Sequence, residues 1–369
     1  MLSILRKISR VGDYGIVVWA LFCGFLLSEN TVPKKGAVLV SERPEWVSEF
    51  RVNDEEMRAL FKRMLFQWTG ENDVVRAWRS LGILPGEVVG LKINTAGGSV
   101  IASRHSLVEE ISQGLLQAGA KEVVVWDKYQ EEMNRSGFKP GQSKNYRLES
   151  VIPGAGFSEE LFYVNEYLGR LIWGDLQFKR EIKKEDILKM AEKAAAQKEE
   201  EAVGTEDQMS NKSYFTTLLT KRCQKIVNLA SFIDHDTLGI WGCNSSLAIS
   251  SVDNTRRFTN LSNAGDPSIS EILDRDLFRK KVVLHVMDGM VAQFAGGPMF
   301  TPHFAKPLGF LMMGQDPVAI DTLVLEQIQK GRKIFKVVPV GDQARHLNSC
   351  AEAGLGEGDL KKIKIIRAY

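Results

Sequence analysis

The chain has 369 residues, with 48 lysines and arginines against 46 aspartates and glutamates, for a formal charge of +2. That near balance argues against a dedicated nucleic-acid surface, and the length suffices for one large core or a main domain with an insertion. Cys23, Cys223, Cys243 and Cys350 are far apart, with no C-x-x-C pair or ferredoxin run, so no resident iron–sulfur cluster is expected.

At the amino terminus Arg6, Lys7 and Arg10 precede an apolar run from Tyr14 to Leu27. The order is that of a signal-anchor, although an amino-terminal cleaved signal or a buried or surface apolar helix has the same pattern. Residues 1–30 are read as the anchor. The basic flank then predicts a single-pass, membrane-associated protein with lipid as a partner and its body outside the cytoplasm.

Residues 31–85 read as a mainly helical connection, with Met57, Leu60, Phe61 and Leu65 lining one side of a helix over 54–67. From residue 86 to 369 the pattern becomes that of an α/β body. Val88, Val89, Leu91 and Ile93 form a buried strand ending at Asn94, and Leu107, Ile111 and Leu115 form a helical stripe that Gly119 terminates. Val123 to Trp126 supply the next strand, with Asp127 at its end, completing a right-handed βαβ unit. The turn after Asn94 lacks the G-x-G-x-x-G spacing, and there is no P-loop, so a nicotinamide enzyme or P-loop NTPase is poorly supported. Lys92 and Arg104 still stand where charge and helix N–H groups favour an anion.

Residues 128–178 read as an irregular lobe over the sheet, and the charged stretch 179–212 as an inserted helix and linker. Asn228 falls near another strand exit, followed by Asp234 and His235 and then by Cys243 and Asn244. His235 suits either metal or proton chemistry or ordinary loop hydrogen bonding. Cys243 as a nucleophile would need a nearby base that spacing does not establish. Val282 to Met287 is a strand leading to Asp288; His285 within it is read as structural, and His303 is a weaker candidate. Asp316 suits a helix cap, with Pro317 in the first turn. Asp321 interrupts the apolar stripe carried on by Leu325 and Ile328, as a site residue or as a buried hydrogen-bonding group.

The predicted fold is thus an open, mainly parallel α/β sheet with helices on both faces. Asn94, Asp127 and Asp288 share its carboxyl edge, where ligands bind in such folds. Candidate catalytic groups are His235, Asp288 and Asp321; candidate binding groups are Lys92, Asn94, Arg104, Asp127, Asn228 and Asn244. Asp127, His235 and Asp288 are the residues that could hold a divalent metal.

Several segments together resemble the DUF362 family over roughly residues 88–329. They are Lys92-Ile93-Asn94, Ala118 to Asp127, Asn228 with Asp234-His235, Asn244, Asp288-Gly289, Gly297-Pro298 and Gly314 to Asp321. The family commonly has Lys-Pro-Asn at the first of these and further basic residues before His235. The resemblance implies an α/β body but supplies no reaction. Two function classes follow from the residues themselves. One is a small polar or anionic ligand site with acid–base or hydrolytic chemistry, assisted by a metal if one binds; the other is a noncatalytic, membrane-attached binding or assembly protein.

Overall fold

The computed structural model describes residues 35–179 and 209–369. The chain enters the sheet as β1 (Ala37–Glu42), makes the short pair β2 (Val47–Ser48) and β3 (Arg51–Val52), and continues as α1 (Asp54–Thr69) and α2 (Val74–Ser80). Asn53 starts α1 by accepting from the N–H groups of Glu55 and Glu56, and Gly70 ends it at φ 77°. The expected strand–helix–strand unit follows as β4 (Val88–Ile93), the single turn α3 (Gly98–Ile101), α4 (His105–Gln117) and β5 (Glu122–Tyr129).

Residues 128–178 are more regular than the sequence suggests. They hold α5 (Gln130–Arg135), β6 (Arg147–Ile152) and β7 (Phe157–Arg170), and β7 pairs with β8 (Met209–Thr216) in a separate two-stranded sheet. Most of the predicted charged insertion lies outside the described residues, and its last part is the start of β8. The chain proceeds through β9 (Lys225–His235), β10 (Gly239–Ile240), α6 (Cys243–Ser251), α7 (Ser268–Leu273), α8 (Asp276–Arg279) and β11 (Val282–Gln293). It ends with β12 (Ala305–Gly314), α9 (Pro317–Ile334), α10 (His346–Glu352) and β13 (Lys364–Arg367).

Nine strands form the main sheet in the order β13-β1-β12-β11-β9-β4-β5-β6, with β10 added to β9. The pairs from β11 through β9, β4 and β5 to β6 are all parallel, whereas β12 runs antiparallel to both β11 and β1. The sheet is therefore mixed. The reason is the short connection at 294–304, which turns β11 back on itself; a parallel neighbour would need a longer crossover, usually helical.

Alternation along the strands divides the core. Val89, Leu91, Ile93, Val123 and Val125 pack with α1, α2 and α4, while Val124, Trp126 and Ile226 pack with α6 and α7. Ala230, Phe232 and Met287 meet α9. Helices thus cover both faces, as strands this apolar require.

The predicted amino-terminal apolar helix falls on residues 1–30, outside the described residues. Among the described residues no helix is long and apolar enough to cross a membrane. The longer ones are amphipathic: α9 carries Asp321, Glu326, Lys330, Arg332 and Lys333 within 18 residues. The expected transmembrane signal-anchor, its lipid partner and the single-pass localisation are thus carried by no described helix.

Gly114 tests the packing of α4 on α2. Helix propensity alone would favour alanine there by about 1 kcal/mol. A Cβ at Gly114 would, however, lie 2.4 Å from Nε1 of the fully buried Trp78. Gly114→Ala should therefore destabilise the fold by about 1–3 kcal/mol in denaturant unfolding, and a gain in stability would show that the contact gives way freely.

Candidate functional site

A row of side chains crosses the parallel strands on the face covered by α6 and α7. Lys92 of β4 is in register with Trp126 of β5 and Asn228 of β9, and Asn228 with His285 of β11. Asn94, Asp127 and Asp288 follow that row by two, one and three residues, so they lie toward the same end of their strands. Two of those strands run further than the sequence suggests. Asn228 is mid-strand in β9, and β11 continues past Asp288 because residues 291–293 pair with 305–307 beyond an irregularity.

Asp127 is the most heavily engaged group at this edge. Its Oδ2 accepts from Thr95 N (2.9 Å) and Thr95 Oγ1 (2.7 Å). Its Oδ1 accepts from Lys128 N and Ser250 Oγ, both at 2.8 Å, and lies 3.3 Å from Lys92 Nζ. Lys92 is fully buried, and its ammonium makes no hydrogen bond of good geometry. Burial pushes its pKa below the usual lysine range, and Asp127 opposes that shift.

Above this pair lies a cleft of about 120 Å³ lined by Asn94, Asp127, Glu132, Trp241, Ser250 and Lys128, among others. Asn94 Oδ1 accepts from Trp241 Nε1 at 2.8 Å, which fixes one wall. Glu132 stands on α5, just beyond the end of β5. Desolvation and then the charge of Asp127 push its carboxyl from 4.5 to about 7. Two carboxyl groups with such different surroundings are the usual arrangement for acid–base work.

The other predicted residues are used elsewhere. Asp288 accepts from Arg104 N (3.3 Å) and Met290 N (3.2 Å) and faces Arg104 Nε at 3.4 Å, so Arg104 secures the start of α4 to β11. Asp321 accepts from Cys243 N (2.7 Å), Asn244 N (2.8 Å) and Asn244 Nδ2 (2.8 Å). It is thus a cap for α6 delivered from α9, favoured by the helix dipole. A Cβ on Gly242 would fall 2.2 Å from its Oδ1, which is why glycine stands there. Burial and the charge of Asp321 raise the Cys243 thiol, the opposite of what an activated nucleophile needs. Asn228 donates to Cys243 O (3.0 Å) and contacts His285 Nδ1 (3.1 Å).

His235 belongs to a turn: its Nδ1 accepts from Thr237 N (3.2 Å) and Leu238 N (3.3 Å), and its ring stacks on Trp241. Burial lowers its pKa to about 4, with Asp236 acting the other way. His235 and Asp288 share no hydrogen-bond partner. Asp127, His235 and Asp288 likewise have separate partner sets, and no cluster of three or more His, Cys, Asp or Glu side chains able to hold a metal occurs among the described residues. The structure therefore brings together Lys92, Asn94 and Asp127 and adds Glu132, Trp241 and Ser250, which the sequence reading missed. Glu132 had one usable signal, its place five residues after a carboxylate at a strand end; Trp241 and Ser250 come from distant segments and had none.

No protein-family model matches the chain, and no curated protein matches it. A crystal structure of a Thermotoga maritima protein, a structural-genomics target, is similar at 12% identity and a TM-score of 0.37, covering 79% of this chain. The match spans 61% of that chain, and a likeness this slight carries no argument.

Two substitutions follow from these contacts. Asp321→Ala leaves three buried donors unpaired and should cost about 3 kcal/mol or more in unfolding experiments; Asp321→Asn, which keeps an acceptor, should cost less. Equal, small losses in both would remove Asp321 as the cap of α6.

Glu132 makes a pH-dependent contribution. Its folded pKa of about 7 exceeds the usual 4.5, so the folded state holds the proton more tightly. That contribution is fully present below about pH 4.5 and is lost as pH rises through 7. Thermal melts across this range should show the wild type losing stability relative to Glu132→Gln as pH increases, then levelling off. A pH-independent difference between the two proteins would contradict the shifted carboxyl.

Proposed function

We propose that the protein is an enzyme that binds a small polar or anionic molecule in the Asp127–Glu132 cleft and transfers a proton to or from it. The observation that carries this reading is the divergence of the two carboxyl surroundings. Asp127 is held by four donors and the Lys92 ammonium, whereas Glu132, also in the wall of the cleft, is pushed up to about 7. A group that titrates there is populated in both protonation states at neutral pH, so it can accept a proton in one step and return it in another.

The roles divide by position. Asp127 and Lys92 fix the floor and the local field, Asn94 and Trp241 hold a wall, and Glu132 exchanges the proton. Asp288, Asp321 and His235, first considered for catalysis, act in this reading as scaffold groups that hold loops and helix starts. A DUF362-type body remains the family proposal, resting on the sequence segments alone. The small cleft favours a molecule of few heavy atoms.

The test is a panel of small hydroxy- and oxo-acids and their phosphate esters incubated with full-length protein in D2O. Proton NMR would follow both solvent-deuterium incorporation and hydrolysis. We expect turnover of at least one compound, with a pH limb near 7 and a loss of about 10²- to 10⁴-fold in Glu132→Gln. Full turnover in a folded Glu132→Gln protein would end the acid–base assignment.

A further inference from the structure

Beside the Asp127–Glu132 cleft lies a second pocket of about 100 Å³, lined by Lys128, Tyr129, Arg170, Ile172, Asp175, Asn254, Thr255 and Arg256. The two share Lys128 and Tyr129 as a common wall. Opposite that wall, Ile249 and Ser250 line the first, while Asn254, Thr255 and Arg256, a few residues further along the chain, line the second. They are therefore consecutive stations along the same two segments.

The charges in the second pocket are unbalanced. Arg170 and Arg256 are exposed, and neither has a carboxylate within ion-pair distance among the described residues. Lys128 is buried, but its Nζ meets only neutral oxygens: Ile249 O (3.2 Å), Val252 O (2.8 Å) and Thr255 Oγ1 (3.5 Å). The one carboxylate in the lining is Asp175. Its oxygens are already engaged, Oδ2 by Ile172 N (2.7 Å) and Oδ1 by Asn254 N (3.0 Å). With the Lys128 donors spent on those oxygens, and with Asp175 and the buried Asp253 beneath it already engaged, Asp253 by Leu176 N and Tyr214 N, the two exposed arginines are the groups left to take an oxyanion; arginine forks match carboxylate and phosphate oxygens in pairs.

We propose that the substrate is a short molecule with an oxyanion at one end, a phosphate or a carboxylate, held by Arg170 and Arg256 while its other end reaches Glu132. This rests on the acid–base reading of the first cleft and adds the substrate class to it. Binding energy from the remote anion would position the reacting end, which is how enzymes of small substrates use a non-reacting group. Lys128 and Tyr129, common to both linings, join the two ends.

The probes are glycerol 3-phosphate and 4-hydroxybutyrate, each with a hydroxyl end, a three-carbon spacer and one of the two anions. Binding to full-length protein would be measured by calorimetry, alongside carbon-13 NMR titration of the Glu132 carboxyl. We expect one or both to bind and to move the Glu132 midpoint away from about 7. The paired Arg170→Ala and Arg256→Ala protein should bind at least about 10-fold more weakly. The tighter probe identifies the anion as phosphate or carboxylate. Both arginines are on the surface, so the double variant should melt like wild type, and a melt of each sample verifies this. Failure of both probes to bind, affinity indifferent to the two substitutions, or binding that leaves the Glu132 midpoint unmoved would each overturn the proposal. Loss of the acid–base reading alone would look different: turnover would persist in Glu132→Gln while anion binding still depended on the arginines.

Discussion

The ion pair between Lys92 and Asp127 is the constraint around which the carboxyl edge of this sheet is organised. A lysine with no exposed surface, placed mid-sheet between apolar strands, would be prohibitively costly alone. Among the described residues its ion-pair partner is Asp127, 3.3 Å away on the adjacent strand. Asp127 is in turn held by the loop after β4, by its own strand and by α6. Breaking such a pair by removing one partner leaves a buried charge uncompensated, which is worth about 3–5 kcal/mol. The positions of β4, β5 and α6 are therefore coupled through one carboxylate. The cleft between them inherits that rigidity.

The same logic separates anchors from the reactive group. Buried aspartates recur through the body, and each has donors built for it. Asp316 accepts from Ala319 N, Gly36 N and Glu357 N; Asp234 accepts from Gly297 N and Gln293 Nε2; Asp288 and Asp321 tie down the starts of α4 and α6. A carboxylate satisfied in this way is a clamp, because both of its oxygens already accept from fixed protein donors. Glu132 differs in kind. What acts on it is desolvation and charge, with no fixed donor among the causes of its shift. A carboxyl left without donors beside a second carboxylate holds its proton to higher pH, and that is the property a proton-transfer group requires.

The strand–helix–strand unit from β4 to β5 was legible because its signals are local. Continuous apolar runs mark β4 and β5, the stripe Leu107, Ile111 and Leu115 marks α4, and Gly119 takes the positive φ of 104° that follows it. Asp316 with Pro317 likewise begins α9 as read, its side chain accepting from Ala319 N. Local pattern gave no warning of β1, whose partners β12 and β13 lie hundreds of residues away, or of the reversed direction of β12. For the site, position at strand ends was enough to select Asn94 and Asp127. It could not tell the carboxylate that walls the cleft from one that secures a helix start, since Asp288 differs from Asp127 mainly in partners brought by the fold.

That distinction bears on why a buried polar row is kept across this sheet at all. Lys92, Asn228 and His285 occupy adjoining positions where apolar residues would pack without penalty, and two of their polar atoms, Lys92 Nζ and Asn228 Oδ1, have no hydrogen-bond partner. Stability alone would favour replacing them. The row instead fixes the mutual register of β4, β9 and β11, because a slip by one residue would turn each polar group onto the apolar face packed against α1 and α4. Register sets the height at which Asn94, Asp127 and Asp288 emerge, and hence which carboxylate meets the loop after β4 and which meets Arg104. The unfavourable burial beneath the cleft is thus what holds the geometry above it.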